Sequence, residues 1–209
     1  MRVTRWIVVV FAIVMGPTRT WGQLPAQAGA AALRVVEGVV YLNDSVVAAK
    51  TTPAVLPDSA VLRTAAGRAA ISLKRGGWLF LATDSSVRVI GNGVYNFNRI
   101  EVLSGSAIVA SGTSAPMVDC DSDIRLSDAG LFRFDVQPVN SDGDRPCRFR
   151  VFDGAAAVPL VSVTNALRAG QTMMCNRRCG DMVPTMEFSP DQLDDFDRWA
   201  RQTQVRLGK

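Results

Sequence analysis

Phe132-Arg-Phe-Asp-Val-Gln137 alternates without a break: Phe132, Phe134 and Val136 are apolar, while Arg133, Asp135 and Gln137 are polar. Successive side chains of a strand point to opposite faces, so this stretch reads as a strand with one face on a core and one in solvent. The same period of two recurs on both sides of it. Ala69, Ile71 and Leu73 alternate with Arg68, Ala70, Ser72 and Lys74; Ile100 and Val102 alternate with Arg99 and Glu101; Phe149 and Val151 alternate with Arg148 and Arg150. Turn signals punctuate these runs at Arg75-Gly-Gly77, Gly91-Asn-Gly93, Ser104-Gly105, Asp128-Ala-Gly130, Ser141-Asp-Gly143 and Asp153-Gly154. Many short strands with frequent turns predict an all-β fold, a sandwich or roll of mostly antiparallel strands. Between Leu33 and Met174 there is no helical pattern of the length that a parallel α/β sheet needs between its strands.

The end of the chain is different. Ser189 is a candidate N-cap, Pro190 suits the first helical position, and Gln192 completes a capping box. Leu193, Phe196, Trp199, Ala200 and Thr203 fall on one stripe at helical spacing. Acids cluster early (Asp191, Asp194, Asp195) and arginines late (Arg198, Arg201, Arg206), as the helix dipole favours. A C-terminal amphipathic helix is expected over 189–207, docked on the β domain or on a partner.

The start of the chain reads as an export signal. Arg2 and Arg5 precede the apolar run Trp6-Ile-Val-Val-Val-Phe-Ala-Ile-Val-Met15, Gly16-Pro17 breaks it, and small residues at Thr20 and Gly22 suit cleavage. The run is too short to span a bilayer, so residues 1–22 are expected to be a cleaved signal peptide with no transmembrane segment left behind. The protein is then periplasmic or secreted. Its four cysteines, Cys120, Cys147, Cys175 and Cys179, fit an oxidising compartment, where an even number favours disulfides. The pairing expected is Cys120–Cys147, each beside a strand, and Cys175–Cys179, closing a tight loop within residues 175–188. A four-cysteine zinc site is the rival, but paired C-x2-C knuckles are missing.

Composition removes several function classes. Histidine is absent, which excludes Ser-His-Asp and Cys-His catalysis and histidine-bound zinc. The formal charge of +4 comes mostly from Arg2, Arg5 and Arg19; the remainder is near neutral, with scattered arginines and no basic block, so no nucleic-acid partner is expected. No nucleotide fingerprint or nucleophile elbow occurs. Asp119-Cys-Asp121-Ser-Asp123 and Asn140-Ser-Asp142-Gly-Asp144 begin like calcium loops, but Gly130 and Val151 stand where the closing glutamate belongs. Solvated turn chemistry explains both. The Asp191, Asp194, Asp195 and Asp197 cluster is explained by the helix start rather than by paired catalytic carboxylates. No catalytic residue, cofactor or metal is expected.

Glycine-centred hairpins carry a resemblance. Glu37-Gly-Val-Val-Tyr41, Leu62-Arg-Thr64 before the alternating strand to Leu73, Gly77-Trp-Leu-Phe-Leu-Ala-Thr-Asp-Ser85-Ser-Val-Arg-Val89 and Ile100-Glu-Val-Leu-Ser-Gly105-Ser-Ala-Ile-Val109 occur in order. Gly130-Leu-Phe-Arg-Phe-Asp-Val136, Val151-Phe-Asp-Gly154-Ala-Ala-Ala-Val158 and Leu167-Arg-Ala-Gly170-Gln171 follow. This ordered series resembles the FecR domain, an extracytoplasmic all-β domain of bacteria, over about two-thirds of the chain (residues 33–174). The best-known members sense a ligand-loaded outer-membrane transporter and signal to a cytoplasmic sigma factor through an N-terminal segment and one membrane helix. Only five residues precede the hydrophobic stretch here, so the cytoplasmic segment is expected to be missing. The resemblance implies an exported, non-catalytic binding or signalling module for an envelope protein. The alternative is a binder of cell-wall or surface polysaccharide. Trp78, Phe80, Tyr95, Phe97, Phe196 and Trp199 are the candidate binding surface; the competing reading of the strand aromatics is burial in the core. An open β edge is a further candidate surface, through strand addition.

Overall fold

The computed structural model describes residues 31–48, 52–73, 76–91, 98–112, 116–127, 129–141, 143–159, 164–175 and 184–208. The expected signal peptide, Tyr95, Phe97 and Cys179 lie outside them. Among the described residues are seventeen strands and one helix. The strands are β1 Ala31–Glu37, β2 Val40–Leu42, β3 Ser45–Val47, β4 Ala54–Val55, β5 Ala60–Thr64, β6 Arg68–Leu73, β7 Trp78–Leu81, β8 Ser86–Gly91 and β9 Asn98–Ser111. They continue with β10 Met117–Asp119, β11 Asp123–Leu126, β12 Gly130–Val136, β13 Cys147–Asp153, β14 Ala155–Pro159, β15 Thr164–Arg168, β16 Gln171–Cys175 and β17 Thr185–Glu187; α1 is Asp195–Leu207. The all-β expectation with one C-terminal helix is met.

The strands form two ladders that share β9. Ladder I runs β4-β1-β6-β7-β9-β12-β13-β16-β17, antiparallel throughout. Ladder II runs β3-β2-β5-β8-β9-β10-β11-β14-β15, antiparallel except for the parallel pair β9–β10. The result is one open, mixed, mainly antiparallel sheet, folded so that both ladders contribute to a single core. Phe132, Phe134, Phe149 and Leu33 enter that core from ladder I, and Leu62, Ile100, Val118 and Val158 from ladder II.

The chain passes between ladders at corners. β1–β2, β5–β6, β7–β8 and the middle of β9 turn at one end of the fold, as the register Glu37↔Arg68, Ala69↔Leu81, Leu81↔Ala107 requires. In β9 the turn is Gly105, with φ +75°. A Cβ there would lie 2.7 Å from Ser85 Cα, so only glycine fits. β11–β12, β13–β14 and β15–β16 turn at the opposite end, since Gly130 pairs with Ser111 and Val151 with Gln171. That leaves the first end without strand corners in the C-terminal half. The disulfide Cys120–Cys147 crosses between ladders there, with Cα atoms 5.9 Å apart. It closes a separation of 27 residues, worth about 3.5 kcal/mol in the chain-entropy account. Cys175, directly opposite Cys147 in register, is disulfide-bonded as well; the partner expected for it, Cys179, is outside the described residues.

Two residues of the family-like pattern acquire a physical role at the first corner row. Buried Thr64 Oγ1 donates to Ala82 O and accepts from Ser85 N at 3.0 Å. Ser85 Oγ accepts from Ser106 N at 2.9 Å and donates to Thr83 O. These hydroxyls satisfy backbone groups that the corners remove from the ladders, where an unmade hydrogen bond costs about 1–3 kcal/mol.

The helix begins later than the Ser189 signal predicts. Its N-cap is Asp194, whose side chain accepts from Asp197 N at 2.9 Å, while Asp197 Oδ2 accepts from Asp194 N at 3.1 Å. Ser189 to Leu193 instead form tight turns, with Gln192 N donating to Ser189 O and Leu193 N to Asp191 O. The Asp-x-x-Asp box prevails over Ser-x-x-Gln because Arg133 holds both of its carboxylates against the sheet.

Candidate interaction surface

The middle of the outer face of ladder I is not in solvent, contrary to the simple alternation reading. Helix α1 lies on it and makes a second apolar cluster there, joining Phe196 and Ala200 to Ala70, Phe80, Ile108 and Ala110. Trp78-Leu-Phe-Leu81 and Ala107-Ile-Val-Ala110 are continuous apolar runs because both of their faces are covered. That absence of alternation is the signal from which the second interface could be read.

Four of the six aromatic candidates meet at this contact. Trp78 stacks on Phe80 with centroids 6.4 Å apart, Phe80 meets the Trp199 ring edge-on at 5.9 Å, and Phe196 stacks on Trp199 at 6.1 Å. Phe80 is fully buried and Phe196 nearly so, while Trp78 and Trp199 are half-buried. Tyr95 and Phe97 lie outside the described residues.

Beside the aromatics sits a charge network that the sequence reading assigned to solvent. Arg133, on β12, points outward under the helix start. Its Nη1 donates to Asp194 Oδ2 at 2.6 Å and to Asp197 Oδ1 at 2.8 Å, and its Nε to Asp135 Oδ1 at 2.9 Å. Asp135 also accepts from Ser106 Oγ at 2.7 Å and from Arg150 Nη2 at 2.6 Å. The Arg133 guanidinium lies 5.5 Å from the Phe196 ring centroid. Burial disfavours the Arg133 charge, but Asp135, Asp194 and Asp197 outweigh it and hold the group more firmly protonated than usual. Burial likewise pushes the Asp135 carboxyl up, and the Arg133 and Arg150 charges overcome this, leaving it below its ordinary 3.8. Asp194 is also lowered: desolvation opposes its charge, while the Asp197 amide and Arg133 favour it. The planar guanidinium forks carboxylates in fixed geometry, so this part of the face is a carboxylate reader, occupied by the helix's own first turn.

The contact is incompletely satisfied. Arg150 Nε, Trp199 Nε1 and Arg201 Nε are buried without a hydrogen-bond partner among the described residues. The Arg150 and Arg201 guanidiniums both lie near the Phe152 ring, at 5.9 Å and 5.7 Å, with Phe188 edge-on to it. A groove of about 880 Å³ runs between α1 and the strand ends, lined in part by Trp78, Leu131, Phe152, Arg201 and Val205.

The outer face of ladder II carries a different cluster. Glu101, Asp119 and Asp123 stand opposite one another on β9, β10 and β11. Arg99 reaches Asp119 at 2.7 Å and Asp123 at 3.0 Å, and Arg88 meets Glu101 at 2.6 Å. The Asp119 hydrogen bond leads the causes that raise the Arg99 pKa. Asp119 and Asp123 of the stretch that opens like a calcium loop are thus partners of an arginine. Asn140 Oδ1 of the second such stretch accepts from Asp144 N at 2.9 Å, closing a turn.

No protein-family model and no curated protein matches the chain. Solved structures do. Two crystal structures of a "putative anti-sigma factor" from Parabacteroides distasonis, at 2.50 Å and 1.65 Å resolution, share its fold with TM-scores of 0.51 and 0.50 and 12% sequence identity. The matches cover 63% and 62% of this chain and 61% and 60% of those chains. At that identity the likeness is one of fold.

Proposed function

We propose that this protein is a non-catalytic regulatory or signalling module of the bacterial envelope, FecR-like in its β domain, that acts by binding another envelope protein. The observation that carries the reading is the fold it shares with the Parabacteroides distasonis protein, named for anti-sigma activity. The ordered glycine hairpins of the FecR-like pattern support it, with Thr64, Ser85 and Gly105 acting together at one corner row. A disulfide between the ladders fits export to an oxidising compartment. The polysaccharide alternative is weaker for the two described strand aromatics put forward for it, because Phe80 is sealed under α1 and Trp78 is half-buried.

The test is a crosslinked pull-down from native envelopes, with the full chain as bait and its reduced, unfolded form as control. A single membrane or periplasmic protein held by the folded bait alone, with crosslinks mapping to one face, is the expected result. Retention of wall polysaccharide without any protein would overturn the reading.

A further inference from the structure

We propose that the ladder I face beneath α1 is an interaction surface for an amphipathic helix of a partner protein, and that α1 is the resident helix such a partner displaces. This deepens the binding-module reading and rests on it. The contact has few fully buried apolar residues: on the thirteen-residue helix these are Phe196 and Ala200, beside the polar Asp197 and Thr203, with Trp199 and Leu207 only partly buried at its edge. It is also where unsatisfied groups gather. Of the four buried side-chain polar atoms without a partner among the described residues, Arg150 Nε, Trp199 Nε1 and Arg201 Nε belong to the helix or to the face it covers, and the fourth, Ser111 Oγ, is on the rim of the groove alongside. Buried polar groups in a settled interior are paired, as Thr64 and Ser85 are here. A contact that buries little apolar surface and leaves donors unpaired opens before the core does.

The face itself states what it accepts. Arg133 reads carboxylates at the N-cap and the third helical position, as it does Asp194 and Asp197. Ala70, Phe80, Ile108 and Ala110 take an aromatic side chain one position before that second carboxylate and a small residue one turn later, as they do Phe196 and Ala200. A second aromatic two positions beyond the second carboxylate meets Phe80 edge-on and the Arg68 guanidinium, as Trp199 does. Helices that dock in this way present anchors at three- and four-residue spacing to a preformed face. The groove beside α1 gives an incoming helix room to begin contact before α1 has left.

Hydrogen exchange on the full chain is the first arm. The α1 amides are expected to exchange through an opening that leaves β6, β7, β9 and β12 protected. The second arm uses a fluorescent peptide of residues 191–208 as probe. Full-length Trp199→Ser, which weakens the resident helix and leaves the face intact, is expected to bind it at least tenfold more tightly than the wild-type chain does. The same peptide carrying Asp194→Asn and Asp197→Asn is expected to lose that gain. Phe196→Ala serves in place of Trp199→Ser if the latter unfolds by circular dichroism. Exchange of α1 only together with the strands, or equal peptide binding by folded variant and wild type, overturns the proposal. So does a concentration-dependent dimer that trades α1 between copies, which makes a second copy the occupant. An envelope protein retained by a chain whose α1 never opens separately leaves the binding-module reading standing and removes this one.

Discussion

Arg133 and Arg99 are built alike and placed differently. Each contacts the acid two residues on in its own strand, Asp135 or Glu101, and two aspartates from other segments, Asp194 and Asp197 or Asp119 and Asp123. The Arg133 side chain is 9% exposed and the Arg99 side chain 34%. On ladder II the cluster keeps neighbouring acids from repelling one another across strands, and water does part of that work. Under α1 the charges of Arg133 and Asp197 depend on one another, because an unpaired ion at either position has little water to turn to. An arginine with three carboxylates is thus surface chemistry in one place and the fastening of a helix in the other.

The widest separation between the two is expected on removing the cations. Arg133→Ala strands the Asp197 carboxylate in a buried site and is expected to cost about 3–5 kcal/mol in urea unfolding, or to free α1 outright. Arg99→Ala is expected to cost less than about 1 kcal/mol. Equal losses would mean that burial is not what distinguishes the clusters.

Asp197→Ala is expected to cost about 2 kcal/mol, since it removes both an Arg133 partner and half of the capping box. A double-mutant cycle with Arg133→Ala should show coupling above about 1 kcal/mol, against about 0.2–1 kcal/mol for Arg99 with Asp119.

Acid acts on the fastening with a definite sign. The folded-state pKa values of Asp135 and Asp194 lie below the ordinary 3.8. Their contribution is therefore complete above that value and lost as pH falls through the depressed values. Protection of the α1 amides, measured as exchange relative to the unstructured rate at the same pH, is expected to be unchanged from neutrality down to about pH 5 and to fall below about pH 4, the ordinary carboxylate range.

Salt should produce the smallest effect. Raising ionic strength from about 0.1 M to 1 M shortens the Debye length from about 10 Å to 3 Å. The small stability difference between wild type and Arg99→Ala is expected to shrink, and that for Arg133→Ala to persist, in parallel urea titrations.

Much of the β fold was legible because its signal is local. Phe132, Phe134 and Val136 face the core as their alternation requires, and Gly105 and Gly154, read as turns, take positive φ where the chain changes ladder. The candidate surface was legible only in part. Its aromatics were found, but Arg133 and Asp135 were assigned to solvent because alternation tells two faces apart and does not say what covers the second one. The helix start was misplaced by five residues for a related reason: Ser189 and Asp194 both head acceptable capping boxes, and the choice between them is made by an arginine 61 residues away in sequence from Asp194.

The sequence alone determined that the fold is built of short strands, that a helix follows them, and that Gly105 and Gly154 mark turns, since each depends on residues close in the chain; β17 at Thr185–Glu187, inside the stretch read as a loop, it did not show. Only the tertiary structure decided that β9 belongs to both ladders, that the corners change ends halfway along, and that the disulfide closes the end left open. It also decided that two similar arginine clusters differ in consequence. Burial is a property of what packs on a residue from elsewhere, and the energy of a charge depends on burial more than on its neighbours in sequence.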